Sequence, residues 1–176
     1  YQQLRQAGYT DDRIILIVED DIADNVSNPN KGVIQVTVGG NNVYENVEID
    51  YRMSSLKAKD ILAILNGEKS ETLPTVIEST ENDNLFVFWS GHGVPGAMCW
   101  DEEPYAMTGD DLSTVFKDMN LKRRYRKLLM MVEACFSGGV MEQCEGIPGM
   151  LFITAANGDE TSKADVFNGE MKVWMS

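Results

Sequence analysis

Apolar residues collect in four short runs, each stopped by polar or turn-forming residues: 14–18 (IILIV), 85–89 (LFVFW), 128–132 (LLMMV) and 150–155 (MLFITA). Runs of this length, with little polar alternation, predict strands buried in a parallel sheet. The segments between them carry a longer period. Leu56, Ile61, Leu62 and Leu65 line one face of a predicted helix, with Ser54 or Ser55 as its cap and Gly67 at its end. Thr108 with Asp111 forms a capping-box variant, opening a helix that runs to about Asn120 and buries Leu112, Val115, Phe116 and Met119. Residues 1–7 read as the last turns of a helix closed by Gly8. Residues 25–52 form a long irregular excursion, in which 33–38 and 43–49 pair as a small hairpin around Gly39–Asn42. Residues 68–84 read as a loop with a short helical piece, and 94–107 as a loop with an exposed Trp100. Residues 122–127 read as a solvated basic face.

Strands alternating with helical or loop crossovers predict a parallel α/β sheet with helices on both faces. A βαβ unit needs a strand before its helix. The helix ending at Ala7 therefore predicts a leading strand upstream of Tyr1, making residues 1–176 a single but incomplete domain.

The chain of 176 residues is 43% hydrophobic and 24% charged, with a formal net charge of −13. That charge disfavours nucleic acid or an anionic membrane surface as partner, since both demand a basic face. Its plain reading is solubility. No apolar run approaches the ~20 residues of a membrane-spanning helix. The three cysteines, Cys99, Cys135 and Cys144, show no CxxC spacing. With a single histidine they make no metal-ligand set, and Asp20–Asp21 alone is too few ligands, so neither metal nor cofactor is expected. Cys99 and Cys144 read as packing thiols or a bridge. Asn25-Val26-Ser27 is a glycosylation sequon.

Two of the four strands change the picture. The second ends in Ser90-Gly91-His92-Gly93, with the only histidine. The third ends in Glu133-Ala134-Cys135, followed by Ser137-Gly138-Gly139. Ligands of open α/β sheets bind at the carboxyl ends of strands. Neighbouring strands lie about 4.8 Å apart, which would place thiol and imidazole over one crevice as nucleophile and base. Taken alone, Cys135 reads as a buried thiol and His92 as a structural histidine; their shared position points to chemistry. Glu133 lies two residues before Cys135, on the same face of its strand, either paired to a nearby basic residue or serving as a pocket acid.

These segments resemble the legumain family of caspase-like cysteine peptidases, related to the catalytic subunit of the GPI-anchor transamidase. The resemblance rests on Ser-Gly-His92-Gly and Glu133-Ala-Cys135-Phe-Ser-Gly. It extends in order through Glu19-Asp-Asp-Ile-Ala23, Asn28-Pro-Asn-Lys-Gly32, Val43-Tyr-Glu-Asn-Val47 with Asp50-Tyr51, and Ile153-Thr-Ala-Ala-Asn157. It implies a caspase-like three-layer α/β/α sandwich with a mostly parallel sheet. His92 and Cys135 match the catalytic dyad, with the N–H groups of Gly93 and Cys135 as the oxyanion hole. Glu133 matches the acid of a pocket for substrate Asn or Asp, and Thr161-Ser162 the Ser-Ser pair beside it. The family's Arg-His pair is not in this chain. Aligning Trp174-Met175-Ser176 on the family's Trp-x-Ser places Val173 where a second pocket acid stands, while aligning Gly169-Glu170 on its Gly-Asp places Glu170 there. The implied activity is cleavage of peptide or protein substrates after Asn, less strongly Asp. Transamidase chemistry on the same residues and a non-catalytic scaffold are the alternatives. The implied compartment is secreted, periplasmic or lysosome-like.

Overall fold

The computed structural model describes residues 1–100, 106–163, 166–168 and 173–175, the last two stretches as strand backbone only. The chain divides into two compact units.

The first unit comprises residues 1–56 and 69–76. It opens with helix α1 (Gln2–Gln6), after which Gly8 takes a left-handed φ of 94°. The predicted strand at 14–18 narrows to β1 (Ile17–Val18), which pairs in parallel with β2 (Tyr51–Arg52). Asp50 closes the same junction, its carboxylate accepting from Leu16 N at 2.9 Å. Tyr51 is buried, and its hydroxyl donates to Thr75 O at 2.7 Å and accepts from Thr75 N at 2.8 Å. The hairpin expected at 33–49 does not form a ladder. Val36 and Val38 are 66% and 75% exposed, so no apolar face holds two strands together. Side-chain amides order the segment instead. Asn42 Oδ1 accepts from Ile34 N and Tyr44 N at 3.0 and 3.1 Å, and Gln35 Nε2 donates to Gly40 O at 2.5 Å.

The second unit holds the main sheet. Helix α2 (Ala58–Asn66) is entered through Lys57, whose N–H donates to Asp60 Oδ2 at 2.8 Å. Neither serine caps it: Ser54 lies in the preceding 3₁₀ turn, and Ser55 Oγ donates to Arg52 O. Its buried face is Ala58, Ile61, Ile64 and Leu65, so Ile64 takes the place expected for Leu62. Residues 68–83 form no helix. Strand β3 (Asn84–Ser90) follows, and the expected loop after it is a small antiparallel sheet instead: β4 (Gly93–Val94), β5 (Ala97–Cys99) and β6 (Ala106–Thr108). A tight turn through Pro95-Gly96, with Gly96 at φ 77°, makes the hairpin possible. Trp100 is buried at 4% exposure, not exposed, its ring 5.6 Å from that of Trp89.

Helix α3 (Gly109–Leu121) is capped as its sequence predicts, with Asp111 N donating to Thr108 Oγ1 and Thr108 N to Asp111 Oδ2. Leu112, Phe116 and Met119 are fully buried, and Val115 only partly. Strands β7 (Lys127–Glu133) and β8 (Met150–Thr154), separated by the short helix α4 (Ser137–Glu142), complete a parallel sheet in the order β3-β7-β8. This is the α/β class expected. β9 (Val166–Asn168) and β10 (Val173–Met175) form an antiparallel pair. Among the described residues no strand pairs with the outer edge of β3.

Register assigns the faces of the sheet. Val87, Met130 and Phe152 align, and Phe152 meets Phe116 of α3 at 6.2 Å between ring centroids, so α3 covers this face. The opposite face carries Phe86, Phe88, Leu151 and Ile153, between 48% and 62% exposed. Burial along β7 therefore alternates, although its sequence is apolar throughout.

The basic stretch 122–127 is not simply solvated. Arg124 Nη2 donates to Ile77 O at 2.6 Å, and Tyr125 is buried. Gly67, left-handed at φ 70°, ends α2 directly under that guanidinium: a Cβ there would lie 1.9 Å from Arg124 Nη2 and 2.6 Å from Ile77 O. Gly67→Ala should therefore cost about 2–3 kcal/mol, combining the left-handed penalty with displacement of Arg124. Gly146→Ala, with a similar φ of 77° and open space around it, should cost only ~1 kcal/mol. Urea unfolding of both variants measures the difference, and equal losses would rule out the Arg124 contact as the cause.

Candidate active site

The site forms where β3 and β7 end together. Their ladder runs from Asn84↔Lys127 to Ser90↔Glu133, and Gly91 N extends it by donating to Glu133 O at 3.1 Å. The chain then turns into β4, and Cys99 N donates to His92 O at 2.9 Å. In that antiparallel register Gly93 faces Met98 as a non-hydrogen-bonded pair, so the ladder leaves the Gly93 N–H unused. Gly93 itself lies against the nucleophile segment. A Cβ on it would sit 2.0 Å from Cys135 O and 3.3 Å from the Ala134 methyl, a contact that glycine alone permits. His92 and Cys135 are thus brought to one end of two adjacent parallel strands. His92 is exposed, and its imidazole makes no hydrogen bond among the described residues. Cys135 is partly buried, with Sγ 3.9 Å from Ser162 Oγ. Thr161, beside it, is exposed.

The turn carrying Cys135 is held from behind. Phe136 adopts a left-handed conformation, φ 56° and ψ 17°, which is costly for a non-glycine residue and needs fixed surroundings. Its N–H donates to Glu160 O at 2.9 Å, and Gly138 N donates to Ala156 O at 3.0 Å. Ser137 is fully buried, its Oγ donating to Ala156 O at 3.4 Å and accepting from Ala156 N at 3.3 Å. Gly138 and Gly139 pack directly on the loop after β8: a Cβ on Gly158 would lie 2.9 Å from Gly139 Cα. The loop is braced in turn by Glu160, whose Oε1 accepts from Asn157 N at 3.2 Å and Nδ2 at 2.9 Å. The sequence places Ser137 and Asn157 in matching motifs without assigning either a role, and gives no signal for Glu160; only the contacts after Cys135 show why small residues are needed there.

Glu133 is exposed at the end of β7 and forms no ion pair among the described residues. Of the basic residues that precede β7, Lys122 pairs with Asp118, and Arg123 with Glu81 at 3.3 Å. The first of these, together with a hydrogen bond from Asn66, holds the Asp118 carboxyl below its usual range. Trp174 lies in β10, but its side chain and all of Glu170 fall outside the described residues. Asp20 is committed to structure, accepting from Tyr44 Oη at 2.7 Å and Arg52 Nη2 at 2.9 Å. A groove of about 350 Å³ runs between α4 and β8, lined by Met141, Cys144, Ile147 and Phe152 among others, behind the Cys135 turn rather than over it.

The three cysteines are free thiols, so no bridge joins Cys99 to Cys144. Cys144 is fully buried, and burial pushes its pKa up to about 11. At pH 8 its thiolate fraction is then on the order of 10⁻³, leaving it inert to electrophiles on both counts. Iodoacetamide applied to the folded protein at pH 8 should label Cys135 and spare Cys144 until urea is added. Peptide mapping by mass spectrometry reads this directly, and equal labelling of the two would contradict the arrangement.

The chain matches the sequence model of the Peptidase C13 family over residues 1–175. It is 36% identical over 168 residues to a vacuolar-processing enzyme of Vicia sativa, covering 92% of this chain and 34% of that protein. It is 30% identical over 179 residues to a legumain of Rattus norvegicus, covering 99% of this chain and 41% of that one. It is 36% identical over 166 residues to a hemoglobinase of Schistosoma mansoni, covering 92% and 37% respectively. The chain thus spans between a third and two fifths of the length of these relatives.

Proposed function

The chain belongs to the peptidase C13 family, and on that footing we propose that it is a cysteine endopeptidase cleaving after Asn, less strongly after Asp, with His92 and Cys135 as its dyad. The observation that carries this reading is the packing of Gly93 on the Cys135 carbonyl at the shared end of β3 and β7. His92 takes the thiol proton as Cys135 Sγ attacks the scissile carbonyl, and returns it to the leaving amine. The developing oxyanion is held by two backbone N–H groups. That of Gly93 is unused by the hairpin, and that of Cys135 heads the turn into α4. Water then resolves the acyl-thioester.

Glu133 is the pocket acid. Ionised, it accepts hydrogen bonds only, which suits the NH₂ of a substrate Asn. A substrate Asp offers a donor only when protonated, so cleavage after Asp belongs to acid pH. Thr161 and Ser162 line the same side, Ser162 through its approach to Cys135 Sγ. By resemblance the pocket is completed in one of two ways, by Trp174 with Val173 at the second acid's position or by Glu170 as that acid. Substrates are peptides or proteins. No helix among the described residues is long and apolar enough to cross a membrane. Relatives named for vacuolar processing support a secretory or lysosome-like compartment.

The test is a peptide series varying only at the residue before the scissile bond. Wild type should prefer Asn, and Cys135→Ala should lose turnover entirely. Glu133→Gln should lower kcat/KM for Asn peptides roughly tenfold to 150-fold, the loss of one charge-assisted hydrogen bond of ~1.5–3 kcal/mol, while leaving alkylation of Cys135 unchanged. A wild-type preference for Lys, Arg or a large apolar residue would overturn the pocket assignment, and an unreactive Cys135 would overturn the dyad.

A further inference from the structure

Asn25-Val26-Ser27 is the only sequon in the chain, and the reaction at His92 and Cys135 makes no use of it. The segment around it is a compact turn with an ordered interior and an open tip. Asn28 is its internal brace, with Nδ2 donating to the carbonyls of Ile22, Ala23 and Val33 at 3.2, 2.9 and 3.0 Å. Gly32 N donates to Ala23 O at 3.0 Å, and Lys31 Nζ to Asp24 O at 3.0 Å and to Asn25 O. These bonds, with Asn25 N donating to Ile22 O at 3.2 Å and Asn28 N to Asn25 O at 2.8 Å, fix the backbone of the turn and leave the Asn25 side-chain amide nitrogen unused.

At the tip all three sequon residues are exposed, Val26 at 90%. Asn25 Oδ1 accepts from Ser27 N at 3.0 Å, an Asx turn that folds Ser27 back over the amide. This hydrogen bond uses the oxygen of the Asn25 amide. Its Nδ2 makes no hydrogen bond among the described residues. The contrast with Asn28, three residues on, is chemical: one amide nitrogen is consumed by the fold and the other is left over. A substituent on the exposed Asn25 Nδ2 therefore breaks no hydrogen bond among the described residues.

We propose that Asn25 is the attachment site of an N-linked glycan. In the transfer, Nδ2 displaces the lipid pyrophosphate from C1 of a lipid-linked oligosaccharide. The Nδ2–C1 bond forms as the C1–O bond breaks, the transferase takes up the amide proton, and the lipid pyrophosphate leaves. The hydroxyl of Ser27, brought close by the Asx turn, is the second element the transferase reads. The inference rests on the secretory placement proposed above but not on the catalytic assignment.

The experiment is expression of the chain behind a secretory leader in eukaryotic cells, followed by intact-mass measurement before and after peptide N-glycosidase. The expected result is a fraction heavier by one glycan, returned to the polypeptide mass by the enzyme with Asn25 converted to Asp. Asn25→Gln and Ser27→Ala should each abolish the heavier form, and Ser27→Thr, which keeps the hydroxyl, should retain it. Secreted wild type of unmodified mass would overturn the proposal, as would a glycan that survives Asn25→Gln. Labelling of Cys135 in the same preparation reports on the peptidase reading separately, so failure of one is distinguishable from failure of the other.

Discussion

The parallel register of β3 on β7 is the constraint on which the site depends. Seven residue pairs in step, from Asn84↔Lys127 to Ser90↔Glu133, bring both strands to an end at the same level. The Gly91 N–H then ties the first turn residue to Glu133 O, leaving the next two residues nowhere to go but across the end of β7. Gly93 crosses so closely that any side chain would overlap the Cys135 carbonyl. A slip of one residue would reverse the facing of every side chain in β3 and carry Phe86 and Phe88 into the layer occupied by α3. Burial of Leu128, Met130 and Val132 against that layer thus fixes, at a distance, where His92 stands.

The parts legible in the sequence are those whose patterns admit one reading. Leu112, Phe116 and Met119 recur at helical spacing behind a capping pair, and α3 follows within a residue of expectation. The runs at 85–89, 128–132 and 150–155 became β3, β7 and β8 because short apolar runs between turn residues have few other fates. Their two faces were not separable by sequence: Leu129 and Met131 are as apolar as Leu128 and Met130, yet only the latter pair is fully buried. The hairpin after His92 was hidden because its strands are two or three residues long and its two-residue turn, Pro95-Gly96, looks like any loop. The opposite error at 33–49 has a related cause. Alternating valines suggest a strand, but alternation is informative only where a core exists for one face to meet.

At the site, the residues that react and the residues that hold them differed in legibility. His92, Cys135 and Glu133 stand out because a lone histidine, a thiol and an acid are rare at the ends of apolar runs. Ser137, Asn157 and Glu160 carry no such signal. Their work is to satisfy backbone groups and to permit close packing, functions that many polar residues perform anywhere in a chain. Environment also separates the thiols where sequence could not: Cys144 is sealed in the core with its pKa raised by burial, while Cys135 sits partly open at a turn.

The supports of Cys135 and the wall beside it are one structure. Phe136 N and Gly138 N are bonded to the carbonyls of Glu160 and Ala156, and the loop between those two residues leads directly to Thr161 and Ser162. Glu160 links the halves, its backbone oxygen holding the turn after Cys135 and its carboxylate holding Asn157. The left-handed conformation of Phe136 persists because this loop over-determines it. A displacement of the loop therefore moves the sulfur and the Ser162 wall together. Positioning of the nucleophile and shape of the adjoining subsite are coupled through shared backbone hydrogen bonds, so a substitution in the loop acts on binding and on chemistry at once.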